Sequence, residues 1–480
     1  MGKTILINVT PEETRMALLE NSDLVEVAVE RAETGHIVGN IYKGRIKNVL
    51  PGMQAAFIDI GRDKNSFLYV GDLFPRVSRL AAGDEVLTAG QDIIIQIVKD
   101  AIGTKGPRAT THLTLPGRYV VLMPTVDYIG ISRRIECDKE RERLKAVAEK
   151  VRPAGMGMIV RTIAEGKTED DLQRDVSYLH NLWNALTARS KRSHAPTLLY
   201  RDVDLVIRIV RDYLTADVSE MVIDNREAYG RVCDLLRFTS PDFVPRVRFY
   251  QGTDDLFVHY GIDGEMEKLH QRQVWLKCGG YLVIDHTEAL TVIDVNTGKF
   301  VGQTNLADTV FQTNLQAVAE IARQIRLRDI GGIIIIDFID MEKDVHKEAV
   351  LTALGDHLKK DRTKTNVLGL TGLGLVEMTR KKSRQNLDSL LYSECPCCSG
   401  RGRIQSPETV AIHVRRHLRK INGECKGGGH ILIQVHPRVA EIFSRQDEIP
   451  RLEQELARRL VVEAVPTMHT EAFSVLYQQD

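Results

Sequence analysis

The stretch Ala289 to Met341 constrains the fold of this chain most tightly. It reads ALTVIDVNTGKFVGQTNLADTVFQTNLQAVAEIARQIRLRDIGGIIIIDFIDM. Two apolar runs each end in a carboxylate: Leu290 to Ile293 run into Asp294, and Ile333 to Ile336 into Asp337. Between them Leu315, Val318, Ala319, Ala322 and Ile325 fall at helical spacing. Arg326, Leu327 and Arg328 followed by Gly331-Gly332 read as a helix stop with cations in the last turn. Four consecutive isoleucines predict a strand buried on both faces, in a sheet covered by helices. A strand–helix–strand unit brings the two acids to one edge of such a sheet, where α/β proteins place their ligands.

Two carboxylates at strand ends suit Mg²⁺, which takes one or two carboxylates, keeps several waters and acts on phosphates. Asn296, two residues beyond Asp294, projects to the same side if the strand continues. It could hold a water or a carboxylate without adding charge. Asp340, three past Asp337, is a competing ligand. The same acids could instead be turn residues that close strands.

Three segments make the chain recognisable: IDVNTGKFVG, TNLQAVAEIARQIRLRDIGGIIIIDFIDM and GLGLVEMTRKKSR. They closely resemble the bacterial ribonuclease E/G family, and the similarity runs over nearly the whole chain. The resemblance implies that Asp294 and Asp337 hold a catalytic Mg²⁺ with Asn296 assisting. Lys364 occupies a position that is arginine in ribonuclease E, so a cation near the scissile phosphate is kept without its bidentate geometry. The family's longer members continue into a disordered tail that gathers partner enzymes. This chain has no low-complexity segment and resembles the shorter members.

At 480 residues several domains are expected. The 65 basic and 65 acidic residues balance, so any RNA contact must come from local basic surfaces. No apolar run is long enough for a membrane span, and the start lacks a signal peptide's apolar core. Seven scattered cysteines argue against a disulfide framework, which points to a cytoplasmic protein with Cys137, Cys233, Cys278 and Cys425 as reduced thiols.

Thr4–Val9, Thr14–Glu20 and Leu24–Glu30 read as a three-stranded meander, too short to stand alone and expected to join a sheet built later. Residues 39–114 are strand-rich. Lys43, Arg45 and Lys47 alternate along one strand face, and Phe57 and Phe67 lie on neighbouring strands. Exposed aromatics beside cations make a stacking platform for single-stranded nucleic acid, although strand phenylalanines are commonly core. Lys105 and Arg108 could add phosphate contacts. This part resembles an S1-type oligonucleotide-binding domain. Further on, Met156–Arg161 is a strand ending in Arg161-Thr162, a guanidinium fork and a hydroxyl that suit a terminal phosphate. The surrounding GMGMIVRTIAEG resembles the family's 5′-sensor, which implies that Arg161 and Thr162 bind the 5′-monophosphate of RNA. Glu165–Arg189 reads as a helix, Leu198–Leu214 as another with Arg201, Arg208 and Arg211 exposed, and Arg451–Val462 as a third.

Cys395-Pro396-Cys397-Cys398 followed by glycines has the form of a zinc knuckle. Structural zinc wants about four ligands and one pair is present, so a second chain could supply the rest. A redox pair is the rival, but no thioredoxin-like strand–helix–strand unit is expected around it. The family's zinc-link uses the outer pair, here Cys395 and Cys398, shared across a homodimer; Cys397 could compete or oxidise.

The expected fold is multidomain α/β and β. A ribonuclease-H-like subdomain in two parts (1–35 and 215–278) holds an inserted S1-type OB barrel (36–118) and a 5′-sensor (119–214). A DNase-I-like α/β catalytic subdomain (279–393), a zinc-link (394–405) and a small α/β domain (406–480) follow. The expected function is a Mg²⁺-dependent single-strand endoribonuclease that leaves 5′-phosphate and 3′-hydroxyl ends. Its substrates by resemblance are ribosomal RNA precursors and messenger RNA, and its assembly a homodimer or dimer of dimers. A divalent ion that activates water removes the need for a histidine base. A non-catalytic RNA-binding protein and a DNA nuclease are the alternatives.

Overall fold

A computed structural model describes residues 2–31, 37–69, 71, 87–101, 105–299, 306–382, 387–424, 429–445 and 448–478. Cys425, residues 102–104 of the basic loop and residues 300–302 and 383–384 of the family segments lie outside them. The chain divides into two units, Met1–Leu390 and Leu391–Asp480. It is a mixed α/β multidomain protein.

The opening meander, Lys3–Val9, Glu13–Glu20 and Asp23–Arg31, does join a later sheet. Lys3–Val9 pairs in parallel with Val218–Ile223, which pairs in parallel with Val247–Phe249. Helices Leu205–Tyr213 and Arg226–Thr239 pack on this sheet through Ile209, Val210, Val232 and Leu236.

Ile41–Leu50, Ala55–Asp59, Ser66–Tyr69, Arg108–Thr110 and Asp92–Lys99 close into a five-stranded barrel, because the first strand also pairs with the last. This architecture is consistent with an OB-type fold. Alternation puts Ala56, Ile58 and Leu68 inside and leaves Phe57 and Phe67 between them half-exposed. Thr197–Tyr200 adds to the barrel edge. It is therefore a strand, not the start of a helix. The helix begins at Leu205, where the Asp204 carboxylate accepts the Ile207 N–H at 3.0 Å.

A four-stranded sheet of Ile129–Ile131, Gly157–Val160, Val120–Met123 and Leu115–Pro116 follows, covered by helices Asp138–Val151 and Glu169–Arg192. The longer helix starts in a capping box between Thr168 and Asp171.

The sheet that carries the two acids runs Gln273–Trp275, Tyr281–His286, Leu290–Asn296, Gly332–Asp337, Val376–Arg380, Thr365–Leu370. Helices Leu306–Leu327 and Asp344–Leu358 cover one face, packing on Leu282, Ile284, Ile293, Ile334 and Ile336. The other face has no such layer among the described residues. Ile333 is 49% exposed and Ile335 half-buried, so the isoleucine run is not buried on both sides. The crossover helix turns its Ala317, Val318, Ile321, Ala322 and Ile325 inward and leaves Ala319 outside. Its exit uses Asp329 in the left-handed region (φ 49°), and the Asp329 carboxylate accepts from Arg380 at 2.5 Å.

In the second unit, Arg459–Ala464, His430–Val435 and Phe473–Gln478 form a three-stranded sheet packed with helices Pro407–Glu424, Pro437–Phe443 and Glu448–Leu456. The last helix stops at Leu456 because Ala457 turns left-handed (φ 50°), and Leu460–Val462 belong to a strand. Among the described residues no helix is long and apolar enough to cross a membrane.

Candidate functional site

Leu290–Asn296 and Gly332–Asp337 pair in parallel with Asp294 opposite Asp337. The crossover helix forces this register, so both carboxylates leave the same face on one rung. The strand does continue past Asp294, and Asn296 Nδ2 donates to Asp294 Oδ2 at 2.8 Å. Partial burial and the charges of Asp294 and Asp340 push the Asp337 carboxyl above the usual aspartate range. Among the described residues no Lys, Arg or His pairs with either acid. Two like charges on one rung without a protein cation are chemically suited to a divalent ion. Asn314, wholly buried on the crossover helix, makes a two-way bond to Ile339: its Nδ2 donates to the carbonyl at 2.8 Å and its Oδ1 accepts the N–H at 3.2 Å. That pins the backbone that follows Asp337. Sequence reasoning missed this residue, although a polar side chain on the core face of an amphipathic helix was the signal.

Lys364 is not brought to these acids. Thr365 and Gly332 both pair with Arg380, so Lys364 flanks the opposite end of the sheet from Asp337. A strand of this length separates the two ends by about 16 Å. Lys364 is exposed beside Asp361 and Arg362, whose carbonyls accept from Arg134 at 2.8 and 2.7 Å.

Arg161 follows strand Gly157–Val160. Its guanidinium donates to the Gly117 carbonyl at 2.7 Å and to Asp212 Oδ1 at 2.6 Å. Gly117 must be glycine, since a Cβ there would meet the Asp175 carboxylate at 2.5 Å. Burial alone would raise the Asp212 carboxyl, but Arg211 and Arg161 outweigh it and hold it below its ordinary range. Thr162 is exposed, with its hydroxyl 2.7 Å from that of Ser132. The two expected phosphate ligands are therefore adjacent, with Thr162 exposed and Arg161 half-buried against Asp212. Arg208 and Arg211, expected to be exposed, are mostly buried; they pair with Glu30 and with Asp202 and Asp212. Asp212 went unnoticed because its role depends on a partner distant in sequence.

On the barrel, Phe57 and Phe67 are direct cross-strand partners, with ring centroids 5.9 Å apart at 71°. The Phe67 N–H donates to the Pro107 carbonyl at 2.8 Å, which brings exposed Lys105 into the same neighbourhood. Lys43, Arg45 and Lys47 are engaged locally instead: Lys43 with the Ser190 and Ser193 carbonyls, Arg45 with Asp92, Lys47 with Asp59.

In the second unit the backbone N–H groups of Cys398 and Cys397 point at the Cys395 sulfur and lower its pKa. The Gly402 N–H donates to Cys398 Sγ at 3.3 Å. His469 Nδ1 accepts the Glu471 N–H at 3.1 Å, so its Nε2 donates to the Cys397 carbonyl at 2.7 Å. Both ring nitrogens are thus occupied, Nε2 by the knuckle and Nδ1 by its own loop. Among the described residues no three His, Cys, Asp or Glu side chains converge to hold a metal, so none of them completes a site with Cys395 and Cys398.

Residues 114–383 match the family model described as the Ribonuclease E/G family. The chain belongs to the ribonuclease E/G family. Residues 394–478 match the family's second model, the RNase E/G thioredoxin-like domain. The strand–helix–strand unit of that description is present as His430–Val435 to Arg459–Ala464, but the cysteines precede it. Ribonuclease G of Salmonella typhimurium (strain SL1344) is 42% identical over 99% of this chain and 100% of its own length. Ribonuclease G of Haemophilus influenzae is 40% identical over 98% of this chain and 99% of its own. Ribonuclease E of a Nostoc species is 41% identical over 84% of this chain, but over only 59% of its own.

Proposed function

We propose that this member of the ribonuclease E/G family, an endoribonuclease, cuts single-stranded RNA with Mg²⁺ held by Asp294 and Asp337. The observation that carries this reading is the Asp294–Asp337 rung, two carboxylates on the open side of a sheet that none of the described residues pairs with a cation. The ion would supply charge stabilisation on the phosphate under attack. Asp294 and Asp337 hold it, and the Asn296 amide orients Asp294 by occupying one of its oxygens. Asn314 fixes the turn that carries Asp340. The products are 5′-phosphate and 3′-hydroxyl ends.

The subdomain reading extends the family assignment. The first sheet is ribonuclease-H-like and the acid-bearing sheet DNase-I-like. The barrel is an S1-type domain that stacks RNA bases on Phe57 and Phe67 with Lys105 on the backbone. Arg161 and Thr162 form a 5′-sensor for a monophosphate. Cys395 and Cys398 of two chains share one Zn²⁺; the N–H donors on both sulfurs, which favour thiolates, support this reading. Ribosomal RNA maturation and messenger RNA decay in the cytoplasm fit an enzyme of this kind.

A 5′-monophosphorylated oligoribonucleotide and its 5′-hydroxyl twin, each incubated with and without Mg²⁺, test the reading. Cleavage is expected only with Mg²⁺ and faster for the monophosphate. Cleavage that survives metal chelation refutes the metal assignment. The zinc content of the dialysed protein should be near half an ion per chain, and a full ion would refute the shared site.

A further inference from the structure

The acid-bearing sheet holds a second group of residues on its open face. Gln273–Trp275 pairs with Tyr281–His286 so that Trp275 lies opposite Tyr281. Tyr281 in turn lies opposite Asn296. Val274, Leu282 and Val295 alternate with these and point into the core. Trp275, Tyr281 and Asn296 therefore share the face that carries Asp294 and Asp337. The Trp275 and Tyr281 rings are 5.3 Å apart at 59°.

Trp275 is 57% exposed. A half-exposed tryptophan leaves a large apolar surface in water, which burial against a ligand would recover. Its neighbours show where that surface belongs. The other exposed apolar side chains of this sheet, Ile333 and Leu368, lie at the far end and on the far edge strand. Only at the acid end is the surface aromatic. The loop after Asn296 closes over Tyr281 from one side: Gly298 has φ 56°, and a Cβ there would lie 2.4 Å from the Gly279 carbonyl and 3.2 Å from the Tyr281 ring. The Lys299 N–H donates to the Gly279 carbonyl at 3.1 Å and ties the two loops that border the aromatic rung. Each loop carries an exposed lysine, Lys277 and Lys299. Tyr281 is thus held and Trp275 left open, with cations on the rim. Aromatic faces beside cations are how proteins take single-stranded nucleic acid.

We propose that Trp275, backed by Tyr281, is a stacking subsite for the base of a nucleotide flanking the scissile phosphate. Trp275 stands two strands from Asn296, about 10 Å at the usual strand spacing. This site is separate from the Phe57/Phe67 platform on the barrel. It rests on the reading that Asp294 and Asp337 act on RNA.

Trp183 and Trp275 are the chain's two tryptophans. The full-length Trp183→Phe variant therefore reports on Trp275 alone. A short 5′-monophosphorylated single-stranded oligoribonucleotide, added without Mg²⁺, should quench its fluorescence. Abasic residues scanned along the oligonucleotide should abolish the quenching at the positions next to the cleavage site. Trp275→Ala should raise KM about tenfold with kcat within about twofold, and Trp275→Phe should restore most of the loss. Normal KM and cleavage by Trp275→Ala would remove the subsite and leave the ribonuclease reading intact. RNA that quenches Trp275 but is never cut would do the reverse. A changed sedimentation coefficient for Trp275→Ala, with KM unaltered at matched oligomeric state, would make this face an interface between copies and overturn the proposal.

Discussion

Two sheets in the first unit bring polar groups to the carboxyl ends of adjacent parallel strands, and only one is left open. In the amino-terminal sheet, Asn8 is next to last in Lys3–Val9 and Asp224 follows Val218–Ile223. Asn8 Nδ2 donates to Asp224 at 2.6 Å and to Asp255 at 3.2 Å. Arg15 then closes the cluster. It donates to Asn8 at 2.7 Å, to Asp263 at 3.0 Å and to Asp255 at 3.4 Å, with its guanidinium 4.5 Å from the Phe257 ring centroid. In the second sheet Asp294 and Asp337 receive no cation from the described residues, only the neutral Asn296 amide. Both Asp224 and Asp337 are pushed up by burial and by a neighbouring carboxylate. Strand-end acids alone therefore do not mark an active site. The difference lies in the surroundings: Asn8 links Asp224 to Asp255, which Arg15 pairs, whereas the described residues bring no cation to Asp294 or Asp337.

The largest test of that difference is removal of one charge at the open end. Asp294→Asn and Asp337→Asn should each lower kcat by about a thousandfold, the equivalent of roughly 4 kcal/mol, while RNA affinity stays within about threefold. Single-turnover cleavage and a binding titration separate the two quantities. Near-normal turnover at saturating Mg²⁺ would erase the contrast between the sheets. At the closed end the effect should be on stability. Arg15→Ala leaves Asp255 and Asp263 without their cation and Asn8 without a donor, and should cost about 1–2 kcal/mol in denaturant unfolding, with kcat at low temperature retained. A loss of kcat without loss of stability would mean that the closed cluster also serves the reaction. At Arg161 the protein supplies a cation and only part of its anion. Arg161→Ala should lower the preference for 5′-monophosphate over 5′-hydroxyl RNA by about tenfold, the worth of one charge-assisted contact. An unchanged ratio would place the terminal phosphate elsewhere.

The open site was legible because its logic is local. Apolar runs, an intervening helical period and a carboxylate after each run fix the Asp294–Asp337 rung without knowledge of other domains. That Phe57 and Phe67 share one side of neighbouring strands was legible for a similar reason, since alternation on short strands sets their side. What was hidden depends on partners far along the chain. The isoleucine run cannot say that, among the described residues, helices cover only one face of its sheet. Arg208 and Arg211 look like a solvated helix face until Glu30 and Asp202 arrive from other elements. The break at Ala457 needs a left-handed backbone that alanine rarely adopts, so propensity alone predicts a longer helix.

Lys364 gives the smallest effect and the finest discrimination. The resemblance to ribonuclease E implies a cation beside the scissile phosphate, whereas strand order sets Lys364 at the far end of the sheet from Asp337. The Arg362 guanidinium, two residues away, lies 4.2 Å from the Tyr213 ring centroid, and Arg362 also donates to the Asp212 carbonyl, on the residue that holds Arg161. Lys364 is thus on the side of the Arg161 site. A solvent-exposed lysine there can add one screened phosphate contact, worth a fraction of a kcal/mol to about 1 kcal/mol. Lys364→Ala should therefore raise KM by about threefold, leave kcat within about twofold, and lose its effect as salt is raised. A tenfold fall in kcat that persists at high salt would mean that Lys364 acts directly on the reacting phosphate. The RNA-bound enzyme, or a second copy of the chain, would then have to bring it to acids that strand order keeps apart within one chain.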